Sequence, residues 1–444
     1  MKRLLFPALL ATAAWAQTVP PTAPLALSLK DAINRGIKTN LRALLSTQDV
    51  RSAQGARLLA LSRLMPKVSV TASETSQQVN LAAFGFSGFP GIPSTVGPFG
   101  ISDLRANVSQ PLLNFRSIYA ERSAIQQEKA AGLSASDARD AVALLVTNLY
   151  LQASSASSRI DSGKARVATA QATYEQALDF QKNGVVPAIE VMRAQVELQT
   201  QQQHLIACRS DVEKLKLQLA QAIGLPDGQT FELSDKLPFA PLTGLSADEA
   251  ISKAWQSRPD YQSAAARVDA AMLTRKSVEA LRLPTAEFNG NYGTIGPNPA
   301  NLHGTFAAGV SVNIPIFQGG RVKGELTEVD AELERRKAEL ADMRSRITLE
   351  IRTAYLDLNS ASEQTQVATK TVELAHQALT QAQDRFAAGV SNNLEVIQAQ
   401  EAVSTADENY IANLYRYNAA RALLARSMGH AETSIPAILQ GVSQ

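Results

Sequence analysis

A chain of 444 residues with 43 basic and 41 acidic side chains offers no excess charge to nucleic acid or another polyanion. Only 5% of it is aromatic, and its single cysteine, Cys208, cannot close an internal disulfide. That composition excludes a disulfide-stapled scaffold and suits long helices meeting at close range better than one thick core. Cys208 reads as a small buried hydrophobe.

Residues 1–16 have the layout of a signal peptide: Lys2-Arg3, an apolar core from Leu4 to Ala14, and Ala14-Trp15-Ala16 before Gln17. No later run approaches the ~20 apolar residues of a membrane helix. If the mature chain enters a membrane, it does so as strands. Residues 17–25, with Pro20, Pro21 and Pro24, form a loose leader. From Leu27 to about Leu64 the spacing predicts helix, with Ser28 as N-cap ahead of Asp31. After Pro66 the period drops to two, with Val68, Val70 and Ala72 alternating with Ser69, Thr71 and Ser73. A second alternating run, Leu104, Ala106 and Val108 against Arg105, Asn107 and Ser109, follows a Gly/Pro-rich loop over 80–99 that carries Phe84, Phe86 and Phe89. These patterns predict strands at about 66–80 and 100–113. Helical patterning resumes after Gln110-Pro111-Leu112-Leu113 and runs about 65 residues, or roughly 100 Å at 1.5 Å per residue. It breaks at Gly184, and a return helix runs from about 188 to Ile223 and ends on Gly224.

The break is written twice. Phe180-Gln-Lys-Asn-Gly-Val-Val-Pro-Ala-Ile-Glu-Val-Met-Arg-Ala-Gln195 returns as Arg385-Phe-Ala-Ala-Gly-Val-Ser-Asn-Asn-Leu-Glu-Val-Ile-Gln-Ala-Gln400, offset by 205. Gly184 and Gly389 are the C-terminal cap glycines, Pro187 suits a helix start, and Asn392 with Glu395 has the form of a capping box. Heptad-spaced Val167, Ala170, Tyr174 and Ala177 return as Val372, Ala375, Leu379 and Ala382. The second copy opens at Leu245-Ser246-Ala247 and holds alternating runs at about 284–296 and 304–317. In the cleanest of them Phe306, Ala308, Val310, Val312 and Ile314 share the face expected to meet lipid, with Ser311 and Asn313 opposite. The chain therefore divides into a first structural repeat, 17–240, and a second, 241–444, joined near Leu237-Pro238-Phe239-Ala240-Pro241. Helical hairpin tips fall at about 183–190 and 388–395.

Four membrane-length strands cannot close a barrel alone, because a bilayer tolerates no unpaired strand edge. Two, three or four chains would supply roughly 8, 12 or 16 strands, all within the range of outer-membrane barrels. Duplicated halves, two strands per half, and the repeated G-V-x-x-x-x-E-V-x-x-A-Q hairpin resemble the TolC-like outer-membrane efflux protein family over essentially the whole mature chain. That resemblance implies an α+β membrane protein: a long α-helical coiled-coil barrel joined to a transmembrane β-barrel built from four strands per chain in a homotrimer. It further implies a passive duct across periplasm and outer membrane, in a Gram-negative-type cell, with contacts to outer-membrane lipid. The expected partners are a periplasmic adaptor protein and an inner-membrane pump, met tips first.

The resemblance places the constriction at Glu190 and Glu395, where rings of like charge would attract cations and repel one another on closing. Helix capping is the plainer role for both. Adaptor docking falls on Gly184, Val185, Pro187, Gly389, Val390 and Ser391. The family's second acidic position is Gln398 in one half and Arg193 in the other, and its tyrosine and arginine lock positions fall on Phe386 and Ser391. Catalytic motifs are absent, and His204, His303, His376 and His430 are scattered, so the sequence predicts no enzyme, metal or cofactor. Two other functions would fit a helical hairpin. A periplasmic adaptor should carry one hairpin beside β domains rather than two, and an exported coiled-coil adhesin would lack paired strands at matching points.

Overall fold

A computed structural model describes residues 25–86, 91, 93–226, 228–235, 239, 246–429 and 431–439, the side chains of 437–439 excepted. The expected signal peptide, Phe89 and most of the expected joint at 237–241 lie outside the described residues.

A short strand β1 (Leu25–Leu27) leads into α1 (Leu29–Thr39) and α2 (Leu41–Ser62). Ser28 caps α1 by accepting from the Asp31 N–H at 3.2 Å. One helix from Leu27 to Leu64 is thus corrected to two. Asn40 ends the first and caps the second, its backbone extended and its side-chain Oδ1 accepting from the Arg42 N–H. Next come β2 (Lys67–Asn80), β3 (Thr95–Leu113), α3 (Phe115–Lys182) and α4 (Ala188–Ala222). The second half opens with β4 (Phe231–Leu233), then α5 (Ala247–Ser257), α6 (Pro259–Glu279), β5 (Thr285–Gly296) and β6 (His303–Asn313). It closes with α7 (Arg321–Ala387), α8 (Asn393–Ser427) and α9 (Ala431–Leu439).

The long strands form one antiparallel sheet in the order β2-β3-β5-β6. Two strands differ from their expected spans. β3 begins at Thr95 rather than about 100, after a turn of 3₁₀ helix at Leu81–Phe84. β6 ends at Asn313, so Ile314 lies just past it: Pro315 has no N–H to continue the ladder. Pro111 is tolerated inside β3 because the register slips there, between Pro111 and Leu113.

Beyond the sheet the helices stand side by side in two tiers that share α3 and α7. Near the sheet the neighbours run α2, α3, α6, α7; farther away they run α4, α3, α8, α7. At 68 residues, α3 spans roughly 100 Å. The densest core lies where the tiers meet, with Ile33, Val142, Val146, Leu151, Leu219, Ile223 and Ile435 drawn from α1, α3, α4 and α9. Here β1 pairs in parallel with β4, an element of three residues per strand that carries no readable period. Buried Tyr150 fastens it. Its hydroxyl donates to the Leu27 carbonyl and accepts from the Asp235 N–H, both at 3.1 Å, and burial pushes its pKa up to about 12. Tyr150→Phe removes both bonds and should destabilise the fold by about 1–3 kcal/mol, read as a lower thermal midpoint in detergent with the far-ultraviolet spectrum unchanged.

A charged knot crosses the same level. Arg258, at the break between α5 and α6, holds Asp260 and reaches Glu350 of α7, each at 2.7 Å. Burial pushes the Asp260 carboxyl up, but the hydrogen bonds and charge of Arg258 outweigh it and hold it below the ordinary range. Arg426 of α8 pairs with Asp137 of α3 alongside.

Candidate functional site

Each tip is built by the chemistry of a helix end. At the end of α3 the Val185 N–H bonds the Phe180 carbonyl at 2.8 Å, and the Gly184 N–H bonds Gln181 at 2.9 Å. The second tip repeats this with Val390 to Arg385 and Gly389 to Phe386, both at 3.0 Å. This 6→1 and 5→2 pattern needs a left-handed residue at its corner, and Gly184 and Gly389 supply φ of +74° and +72°. Pro187 is the N-cap of α4 rather than its first helical residue. Asn392 caps α8, accepting from the Glu395 N–H at 3.3 Å. The box is half made, because the Glu395 carboxylate turns to Arg385 at 3.3 Å.

Both glutamates thus have an arginine at hand. Glu190 takes Arg193 at 2.9 Å, its side chain is only 12% exposed, and its Oε2 has no hydrogen-bond partner among the described residues. Val185 and Val390 stand exposed beside the glycines, with Ile189, Met192 and Leu394 exposed on the first turns that follow. Ser391 is only partly exposed.

The tips also meet each other. Phe180 and Phe386 pack with ring centroids 5.4 Å apart and planes tilted by 54°, and Phe386 is 2% exposed. Fully buried Asn393 donates from Nδ2 to the Glu190 carbonyl at 3.4 Å. The sequence reading missed this clasp, although a phenylalanine three or four residues before each tip glycine was its visible trace. Higher up, His204 of α4 lies 3.2 Å from Glu408 and His376 of α7 lies 3.7 Å from Asp407. Adjacent carboxylates of α8 thus face histidines from opposite halves, a convergence that scattered sequence positions did not reveal.

At the other end of the molecule the sheet has two unlike faces. Register sets Val68 opposite Val108, Val108 opposite Gly290, and Gly290 opposite Ala308. The same face carries Val70, Ala106, Tyr292 and Phe306 in one row and Phe288 with Val310 in another. Phe306 is 78% exposed, and Val310 and Val312 are exposed with it. The opposite face is polar and internally bonded: Ser109 donates to Glu287 at 2.6 Å, Asn107 to Thr71 at 3.1 Å, and Arg105 to Asp103 at 2.7 Å.

The comparisons agree with this geometry. The sequence profile described as "Outer membrane efflux protein" matches residues 40–225 and 250–430. The toluene efflux pump outer membrane protein TtgF of Pseudomonas putida is 24% identical over 421 residues, covering 90% of this chain and 83% of TtgF. The pyoverdine export outer membrane protein OpmQ of Pseudomonas aeruginosa is 23% identical over 383 residues, covering 83% and 79%. The crystal structure of the outer membrane protein VceC from Vibrio cholerae superposes with a TM-score of 0.77 at 19% identity, covering 90% of this chain and 96% of that one.

Proposed function

This chain belongs to the outer membrane efflux protein family, and from that premise we propose that three copies close into a duct whose periplasmic tips dock on an adaptor. The chain is an outer-membrane channel component of an efflux or secretion system. Its family is one of channels, not of enzymes.

One observation carries the assembly. The sheet ends on β2 and β6 with its apolar face exposed, and in a bilayer an unpaired edge costs several kcal/mol per lost hydrogen bond. The helical tiers end in the same open way. On α7, Leu349, Leu356, Val367 and Leu374 fall at spacings of 7 and 11 residues, which return to one helix face, and all are exposed. Exposed Val196, Ile206 and Leu217 lie on α4, at the other margin of that tier. A ring of copies joins β2 to a neighbour's β6 and α4 to a neighbour's α7, leaving no edge. Three copies give a barrel of about 12 strands, inside the range of outer-membrane barrels. The number three comes from the resemblance. We read the two halves, 17–240 and 241–444, as equivalent contributors to that ring. Mass measurement of the detergent-solubilised protein should report three chains, and a stable monodisperse monomer would overturn the assembly.

At the tips, Val185, Pro187, Val390 and Ser391 present the adaptor surface beside Gly184 and Gly389, and an inner-membrane pump completes the path. Glu190 and Glu395 set the charge at the constriction, moderated by Arg193 and Arg385. Replacing both by glutamine should lower cation preference in planar bilayers. An unchanged preference would leave them as helix-end residues only.

A further inference from the structure

Basic residues gather where the strands of the sheet meet the helices. The helix-side ends of its strands are Lys67, Leu113, Thr285 and Asn313; the last three share a margin, and Lys67, paired with Ser109, begins about four residues short of it. The four strand–helix junctions there, residues 61–67, 112–118, 280–286 and 314–324, contain six basic residues and no Asp or Glu. The six are Arg63, Lys67, Arg116, Arg282, Arg321 and Lys323. At the far margin, residues 74–86, 93–103 and 294–305 contain no Lys or Arg and only two acidic residues, Glu74 and an Asp103 already paired with Arg105 at 2.7 Å.

The six are not equivalent. Lys67 belongs to the polar face, two residues from Ser69 and opposite Ser109. Arg116 and Arg321 share Glu325, at 3.7 and 3.5 Å. Arg63, Arg282 and Lys323 are exposed, and none has an acidic partner among the described residues. Beside them stand exposed Met65, Leu112, Leu283 and Ile314, and above all Ile316 and Phe317 at 95% and 87%. Exposed apolar groups interleaved with unpaired cations, continuous with an apolar sheet face, fit the level where acyl chains give way to headgroups.

We propose that Arg63, Arg282 and Lys323, with Ile316 and Phe317 anchored in the acyl boundary, form a binding belt for anionic phospholipid headgroups in the leaflet nearest the helices. The inference rests on the reading that the sheet spans the membrane. Each copy in the ring repeats the three cations, so the belt is continuous around the barrel. Headgroup phosphates complete the ion pairs that these three cations leave open among the described residues.

The test uses the full chain in lipid nanodiscs of phosphatidylcholine containing a minority of phosphatidylglycerol, with retained lipid quantified by mass spectrometry. The wild type should enrich phosphatidylglycerol over the bulk mixture. R63Q/R282Q/K323Q should lose about tenfold of that enrichment, whereas R63K/R282K/K323R should keep it. Equal enrichment in the glutamine variant, or none in the wild type, overturns the proposal. Lipid A enriched as strongly as phosphatidylglycerol overturns the assignment to phospholipid, and inorganic phosphate added to pure phosphatidylcholine discs should not substitute. If the wild type enters no disc at all, the membrane reading falls with the belt; if it enters without lipid preference, only the belt falls.

Discussion

Val310→Arg should remove most of the protein from the outer membrane as an assembled oligomer, while Ser311→Arg, one residue along, should leave most of it in place. An arginine on the lipid face costs about 2–4 kcal/mol at the bilayer midplane and about 0–1 kcal/mol near an interface. Val310 lies two residues from the middle of β6, which puts its cost toward the lower end of the first range. The penalty recurs in every copy of a closed ring. Ser311 is on the polar face, hydrogen-bonded to the Glu287 carbonyl, where water can solvate a cation. The readout is the heat-resistant oligomer recovered from outer-membrane extracts. Equal loss in the two variants would reverse or abolish the face assignment.

The other large effect is expected at the clasp. Truncating a buried phenylalanine to alanine typically costs about 3–5 kcal/mol, of which the ring–ring geometry accounts for roughly 0.5–1.5. Phe386→Ala should therefore free the α7–α8 tip from the α3–α4 tip. Limited trypsin digestion at Lys182 and Arg385 should accelerate, and single-channel recordings should show a higher resting conductance. Phe386→Leu keeps apolar volume and should fall between. Neither charge nor a titratable group is involved in the ring contact, so the effect should persist across salt and pH. If tip cleavage and resting conductance both stay at wild-type levels, the Phe180–Phe386 contact does not hold the tips together.

What the sequence made legible follows from the length of each signal. A helix of 68 residues and a strand of 11 repeat their period often enough to be read directly. Gly184 and Gly389 were readable because only a residue without Cβ sits easily at positive φ. The break at Asn40 was not, since an Asn inside a helical pattern is unfavourable without being forbidden. Strands β1 and β4, three residues each, are too short to show alternation, and their pairing spans the whole first half. The tip glutamates were named from the sequence, but their partners Arg193 and Arg385 change what those carboxylates can do. Arg193 is visible as an i,i+3 neighbour, whereas Arg385 reaches Glu395 across the turn. Phe180 and Phe386 come together only because two distant hairpins lie side by side, a fact of tertiary packing that no local pattern encodes.

The strand order β2-β3-β5-β6 also sets a timetable for assembly. The bond from Ser109 to Glu287 joins residues 178 apart, so β3 lies beside a strand that leaves the translocation machinery long after it. During that interval the β2–β3 hairpin carries an apolar face and two bare edges, the state most open to misjoining with another chain. A two-stranded ribbon is marginal in water, so the delay itself is protective: the hairpin can stay unformed until its neighbour arrives. Loop-closure entropy then makes the central pairing slow. Contacts along α3 with α4, and α7 with α8, are close in sequence and can form first. The expected order is helices early, the central β3–β5 seam late, and the union of copies last, so a folding delay should be most harmful between the first and second of these steps.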